Sequence, residues 1–259
     1  MVAPTLWRLV TSTRIICTQP VAALDGLQGP HYPALMHLPN RLVWSLAGIM
    51  LAPAALGAQT AVDSGTFIVR HSGDTVATER FSRTQTSLEG TLALRNARRT
   101  SQRYNAVVGP DATLPLIEVT VREDADSGLR RIPGQAKTRI VQRARVIFKD
   151  DSAAVDDVTG NGMVTQIFGT RRGAVPYLNL SFALLEQAIR RAQSQAGEPR
   201  EVAFFNLGGG QTVSAKVSPL GGDSLTLDIG KVEYRLRVDP HGRVLGGRIP
   251  AQDLVAERQ

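Results

Sequence analysis

One stretch of this chain is patterned as a helix, and nearly everything around it is patterned as strand. Between residues 176 and 195 apolar residues recur at three- and four-residue intervals, at Leu178, Phe182, Leu185, Ile189 and Ala192. Leu180, Ala183, Leu184 and Ala188 widen that stripe, so a broad face of the helix has to be buried. Arg190 and Arg191 fall in its last turns, where cations suit the negative end of the helix dipole, and Gly197 and Pro199 supply a stop. The spacing predicts a long helix over 176–196. About 18 helical residues extend about 27 Å, the width of five or six strands at about 4.8 Å each. One helix of that length can lid one curved sheet.

The rest of the chain after residue 58 has a period of two. Residues 65–71 and 75–81 read as a hairpin around Ser72-Gly73-Asp74. Leu88, Gly90, Leu92 and Leu94 alternate with Glu89, Thr91 and Arg95, and Ile117, Val119 and Val121 alternate with Glu118, Thr120 and Arg122. A long strand is expected over 138–149, with Ile140, Ala144, Val146 and Phe148 facing one way. Beyond the helix, apolar runs near 201–207, 211–217, 224–229, 231–238 and 242–248 are separated by glycine-rich turns. Parallel strands need crossover connections that are missing here. The expected fold is mainly β: a curved antiparallel sheet or half-barrel of about 10–12 strands covered by the one helix.

The beginning of the chain has a different character. The uncharged run 42–58 follows Arg41 and ends in small residues, which is the order of an export signal: charged start, apolar middle, small-residue cleavage site. Seventeen residues broken by Gly48 and Pro53 fall short of the roughly 20 that span a bilayer. Met36 stands where such a signal would start. The reading is an unstructured upstream extension over 1–35, a signal peptide over 36–58, and a single exported β domain over 59–259.

Cys17, the only cysteine, belongs to the leading part, so the domain is expected to carry neither disulfide nor thiolate chemistry. Residues 59–259 hold 27 Lys and Arg against 22 Asp and Glu, a mild positive balance. Few aromatic residues interleave with the arginines, which argues against stacking on nucleic acid. Clusters that include Arg98, Arg99, Arg130 and Arg131 either decorate the solvent side of strands or meet an anionic membrane surface. A monomer is expected.

Catalytic motifs are sparse. Asp63-Ser64-Gly65 matches the signature of aspartic proteases, in which paired carboxyls share a proton. Here it lies just past the expected cleavage point, and Asp228-Ile229-Gly230 lacks the hydroxyl residue of a partner motif. A hydrolase using Asp63 is the third reading. His71 precedes a hairpin turn and His241 lies inside one, and no Gly-x-Ser-x-Gly elbow is present. Asp150-Asp151, Asp156-Asp157 and Asn161 lack the regular spacing of a calcium loop. No cofactor or metal is called for, and a non-enzymatic role is expected.

The remaining feature with functional content is the apolar interior. A concave apolar sheet under a helix is either a filled core or a container for a greasy ligand. In the second case Phe182, Leu185 and Ile189 would meet the ligand from the helix, and Phe67, Leu92, Val146 and Phe148 from the sheet. Over about residues 65–250 the layout, meander then helix then meander behind a signal, resembles the exported half-barrel proteins of the periplasmic lipoprotein-carrier (LolA-like) superfamily. The similarity includes the opening segment 67–81, Phe-Ile-Val-Arg-His-Ser-Gly-Asp-Thr-Val-Ala-Thr-Glu-Arg-Phe, and the closing segment 234–244. What the resemblance implies is a carrier or binding role for lipid or acyl chains. The alternative is an envelope structural or protein-interaction module with a filled core.

Overall fold

The computed structural model describes residues 62–95, 99–124, 138–193 and 200–259. The expected extension and signal segment, Arg98, Arg130, Arg131 and the last residues of the expected helix lie outside them. Fifteen strands form one sheet. In chain order they are β1 Asp63–His71, β2 Asp74–Arg83, β3 Ser87–Leu94, β4 Thr100–Val107, β5 Leu116–Asp124, β6 Thr138–Lys149, β7 Ser152–Thr159 and β8 Gly162–Gly169. Next come β9 Val175–Tyr177, the helix α1 Phe182–Gln193, and then β10 Arg200–Asn206, β11 Thr212–Gly221, β12 Ser224–Ile229, β13 Val232–Val238, β14 Val244–Ile249 and β15 Leu254–Arg258.

The sheet order is β8-β7-β6-β5-β4-β3-β2-β1-β15-β14-β13-β12-β11-β10-β9. The chain meanders outward from β1 to β8, restarts at the far edge with β9, and meanders back until β15 pairs antiparallel with β1. Among the described residues the one parallel pair is β9 with β10, the two strands joined through α1. A crossover is the connection that parallel neighbours require.

The helix is shorter than the periodicity suggests. Val175-Pro176-Tyr177 is strand, Leu180 takes a left-handed conformation (φ 66°), and Ser181 caps the helix, its Oγ accepting the Leu184 N–H at 3.4 Å. Pro176 and the Ser181 cap both favour starting the helix late, which an apolar count alone does not weigh. With twelve residues α1 is about 18 Å long.

Nor does α1 keep a polar face in water, because nine of its twelve residues are buried, Glu186 and Gln187 among them. It touches β2, β9, β10 and β14. Strands β2 and β10 are seven places apart in the sheet, about 34 Å if the sheet were flat. An 18 Å rod reaches both only because the sheet bends around it. The bend brings strands from opposite ends of the order together: Phe148 of β6 and Phe168 of β8 lie 5.5 and 5.9 Å from Phe205 of β10. The Thr212 hydroxyl donates to the Gly169 carbonyl at 3.5 Å. Among the described residues the edges β8 and β9 form no ladder, so the sheet stays open.

Candidate functional site

The seven residues expected to contact a ligand converge. Phe67, Leu92, Val146, Phe182, Leu185 and Ile189 are all buried in one apolar cluster, and Phe148 packs half-buried at its margin. The Phe67 ring lies 5.5 Å from that of Phe182 and is stacked 5.6 Å from Phe81. Strand alternation points the sheet residues inward and the helical stripe points the others toward them, so they pack on one another.

A polar network that the sequence reading missed holds the helix in place. On β2 the inward positions are Ala77, Glu79, Phe81 and Arg83, so two charged side chains share the apolar face. Glu79 accepts the Ala183 N–H at 2.9 Å, the Tyr104 hydroxyl at 2.7 Å and the Ser181 hydroxyl. A carboxylate thus meets the positive end of the helix. Burial raises the Glu79 pKa above its ordinary value, and the hydrogen bonds from Ser181, Ala183 and Tyr104 only partly offset it. Burial, with the Glu79 charge beside it, pushes the Tyr104 hydroxyl up as well.

One turn along the helix Glu186, wholly buried, pairs with Arg83, with Arg190 at 3.2 Å and with Arg258 at 3.0 Å, and accepts the Val244 N–H at 2.8 Å. Asp63 binds the same three guanidinium groups at 3.3, 3.2 and 2.6 Å. The residue that opens the protease-like motif is therefore an ion-paired anchor. Asp228 stands on β12 opposite Lys216 and Glu233. Three cations face two carboxylates, and Arg258 also lies over the Phe81 and Phe67 rings at 5.0 and 5.9 Å.

The cluster opens to solvent beside Phe148. A cleft of about 650 Å³ is bounded by the turn Pro110–Ala112, by Leu114 and Pro115, by Phe148 to Asp150, by Arg172 to Ala174 and by Arg191 from the end of α1. Gln187 donates to the Ala112 carbonyl at 3.0 Å and Arg191 to the Asp111 carbonyl at 3.1 Å, so the helix fixes one rim. Gly173, at φ +71°, leaves room for Arg191: a Cβ there would stand 2.6 Å from its guanidinium. Leu114, Pro115, Phe148 and Ala174 form an apolar wall. Lys149, Arg172 and Arg191 supply cations, with Asp111 and Asp150 beside them. Sequence reasoning placed Phe148 here and missed the rest, because 110–115 and 172–174 are loop segments without periodicity.

The other motifs are dispersed. His71 ends β1 and His241 lies in a turn, both exposed. Asp156 accepts the Thr165 hydroxyl at 2.8 Å, while Asp157 accepts the Gln142 amide at 3.1 Å. Among the described residues no group of His, Cys, Asp or Glu could hold a metal ion. Arg99 is exposed with a left-handed backbone (φ 44°). On the outer face, cross-strand pairing sets Arg80, Thr91, Arg103, Thr120 and Arg143 in a row, an arginine on every second strand.

No family model and no curated protein matches the chain. Among solved structures, a DUF1089 family protein from Pseudomonas aeruginosa is similar at a TM-score of 0.47 and 13% identity, over 82% of this chain and 98% of that one.

Proposed function

We propose that this chain is an exported, non-enzymatic module that binds an amphipathic ligand of the lipid or acyl class where the helix meets the curved sheet. The observation that carries this reading is the cleft beside Phe148. Its volume is in the range of small-molecule sites. One wall is apolar and continuous with the core, which suits a hydrocarbon chain. The Lys149 and Arg172 side chains at the rim suit an anionic head group. The half-barrel layout resembling the lipoprotein-carrier superfamily supports the same class of ligand.

The test is calorimetric titration of the purified chain with a long-chain fatty acid and with its uncharged methyl ester. The acid is expected to bind about tenfold more tightly, a difference of about 1.4 kcal/mol, and Lys149→Glu with Arg172→Glu to abolish that preference, since two exposed attractions worth about 0.2–1 kcal/mol each become repulsions. Absence of binding by both probes, or a preference unchanged in the variant, would overturn the reading.

A second reading, an envelope interaction module meeting an anionic membrane, is favoured by the outer row of Arg80, Arg103 and Arg143, none of which pairs with a carboxylate among the described residues. Cosedimentation with phosphatidylglycerol vesicles, lost in Arg80→Glu with Arg103→Glu, would support it. Equal retention by that variant would exclude it.

A further inference from the structure

The open edge of the sheet is unlike its other end. Strand β9 has only three residues, of which Val175 and Pro176 are buried. Strand β8 has eight, Gly-Met-Val-Thr-Gln-Ile-Phe-Gly, seven of them exposed, and among the described residues it borders no strand beyond β7. Natural edges are protected from pairing with another chain by lysines, prolines, bulges or covering loops. Strand β8 carries no charge and no proline, and its pairing with β7 runs without a bulge.

The hydrogen-bond parity fixes what that edge offers. Thr159 and Gly162 close the β7–β8 hairpin as a directly opposed pair, and in the same phase the Thr170 N–H donates to the Asp151 carbonyl at 2.7 Å. In an antiparallel ladder bonded residues alternate. The even-numbered residues of β8 therefore bond to β7, and Met163, Thr165 and Ile167 turn their N–H and C=O groups outward. Gly169, next in that series, already accepts from Thr212, so the free stretch ends there.

Those three residues are also the ones whose side chains point to the outer face. Ile167 and Met163, 76% and 68% exposed, are the two most exposed large apolar residues among those described. Ile167 ends a row that crosses five strands, Val107, Leu116, Ile147, Ala154 and Ile167. Met163 stands opposite Val158.

We propose that β8 is a homodimerisation edge: two copies of the chain pair their β8 strands antiparallel about a two-fold axis at Thr165. In this register Met163 lies opposite the partner's Ile167, Thr165 opposite the partner's Thr165, and Ile167 opposite the partner's Met163. Each of the three pairs is of the kind that exchanges two hydrogen bonds, about six in all. The outer apolar row then continues without a break into the partner's Met163 and the partner's Val158. No like charges are opposed on the joined strands. A two-fold contact needs one surface to be complementary to itself, and the spacing Met-x-Thr-x-Ile meets that condition in this register.

The test is light scattering on the full chain across a concentration series, with Thr165→Pro and Ile167→Lys variants. The Thr165 N–H faces away from β7, so proline there removes an edge donor without deleting a bond inside the sheet. The unmodified chain is expected to approach twice the monomer mass as concentration rises, and both variants to stay monomeric at the parental melting temperature. With Cys17→Ser as background, Thr165→Cys is expected to form an interchain disulfide, since bonded pairs lie about 5.5 Å apart at Cα. Ser101→Cys on the outer face of β4 is the control that should not. A parent that is monomeric throughout, or a dimer that persists in both variants, would overturn the proposal. So would equal crosslinking at both cysteines.

Discussion

Replacing Glu186 by alanine tests how the helix is held. The carboxylate is fully buried and satisfies Arg83, Arg190, Arg258 and the Val244 N–H together. Truncation leaves Arg83, whose side chain is 5% exposed, with Asp63 at 3.3 Å and the Ala183 carbonyl at 3.0 Å. Removing one member of a buried ion pair costs about 3–5 kcal/mol, because the remaining charge keeps its desolvation penalty. An orphaned buried N–H such as that of Val244 costs about 1–3 kcal/mol on its own, a loss contained within that range because the same site relaxes around both. For a domain of this size 1 kcal/mol shifts the melting temperature by about 2–4 °C. Scanning calorimetry should therefore show a fall of about 6–20 °C. Glu186→Gln keeps an acceptor for Val244 and should lose less. In a double-mutant cycle with Arg83→Met, the coupling should be about 1–3 kcal/mol, since the second substitution removes the stranded charge. A loss below about 1 kcal/mol in Glu186→Ala, or a coupling near zero, would refute the view that this network anchors the helix.

Gly90→Ala should destabilise by about 1–3 kcal/mol, because a Cβ there would lie 2.3 Å from the Tyr104 hydroxyl, which denaturant melts can measure. Glu79 has a raised pKa when folded, so its contribution is fully present below its ordinary 4.5 and declines as pH rises through the folded value. The melting temperature of the parent relative to Glu79→Gln should accordingly fall as pH rises above that ordinary 4.5. Asp239 behaves in the opposite sense. Some desolvation acts upward, but hydrogen bonds from the Arg243 and His241 N–H groups and the Arg243 guanidinium lower its pKa, so its contribution is present above 3.8 and lost as pH falls through the folded value. Asp239→Asn should thus approach parental stability in acid, as read by melts at pH 3 and pH 7. Gly173→Ala should open the rim of the cleft by displacing Arg191 from the Asp111 carbonyl, and should weaken fatty-acid binding more than it lowers the melting temperature.

Period-two alternation is written by each strand for itself. For that reason the bounds of β6, 138–149, and of β12, 224–229, were legible, but a bulge between Ile140 and Gln142 turns Ile140, 44% exposed, away from the face of Val146, which alternation within one strand does not reveal. Strand β9 was hidden inside an apolar helical pattern, and β15, Leu-Val-Ala-Glu-Arg, is short and carries no period-two alternation in its sequence. Both exist because a neighbour supplies their hydrogen bonds: β10 for the first, β1 and β14 for the second.

Local sequence determined that the described residues would be mainly β with one helix, and which side of most strands would be apolar. Tertiary structure alone decided that Glu79, Arg83, Glu186 and Arg258 are interior, since a charged residue at an inward position has the same spacing as one facing water. Its burial depends on partners more than 100 positions away, as between Arg83 and Glu186 or Asp63 and Arg258. The cleft and the free edge of β8 have the same origin. How far a sheet rolls, and which strand is left without a neighbour, follows from packing around the helix and not from any one segment.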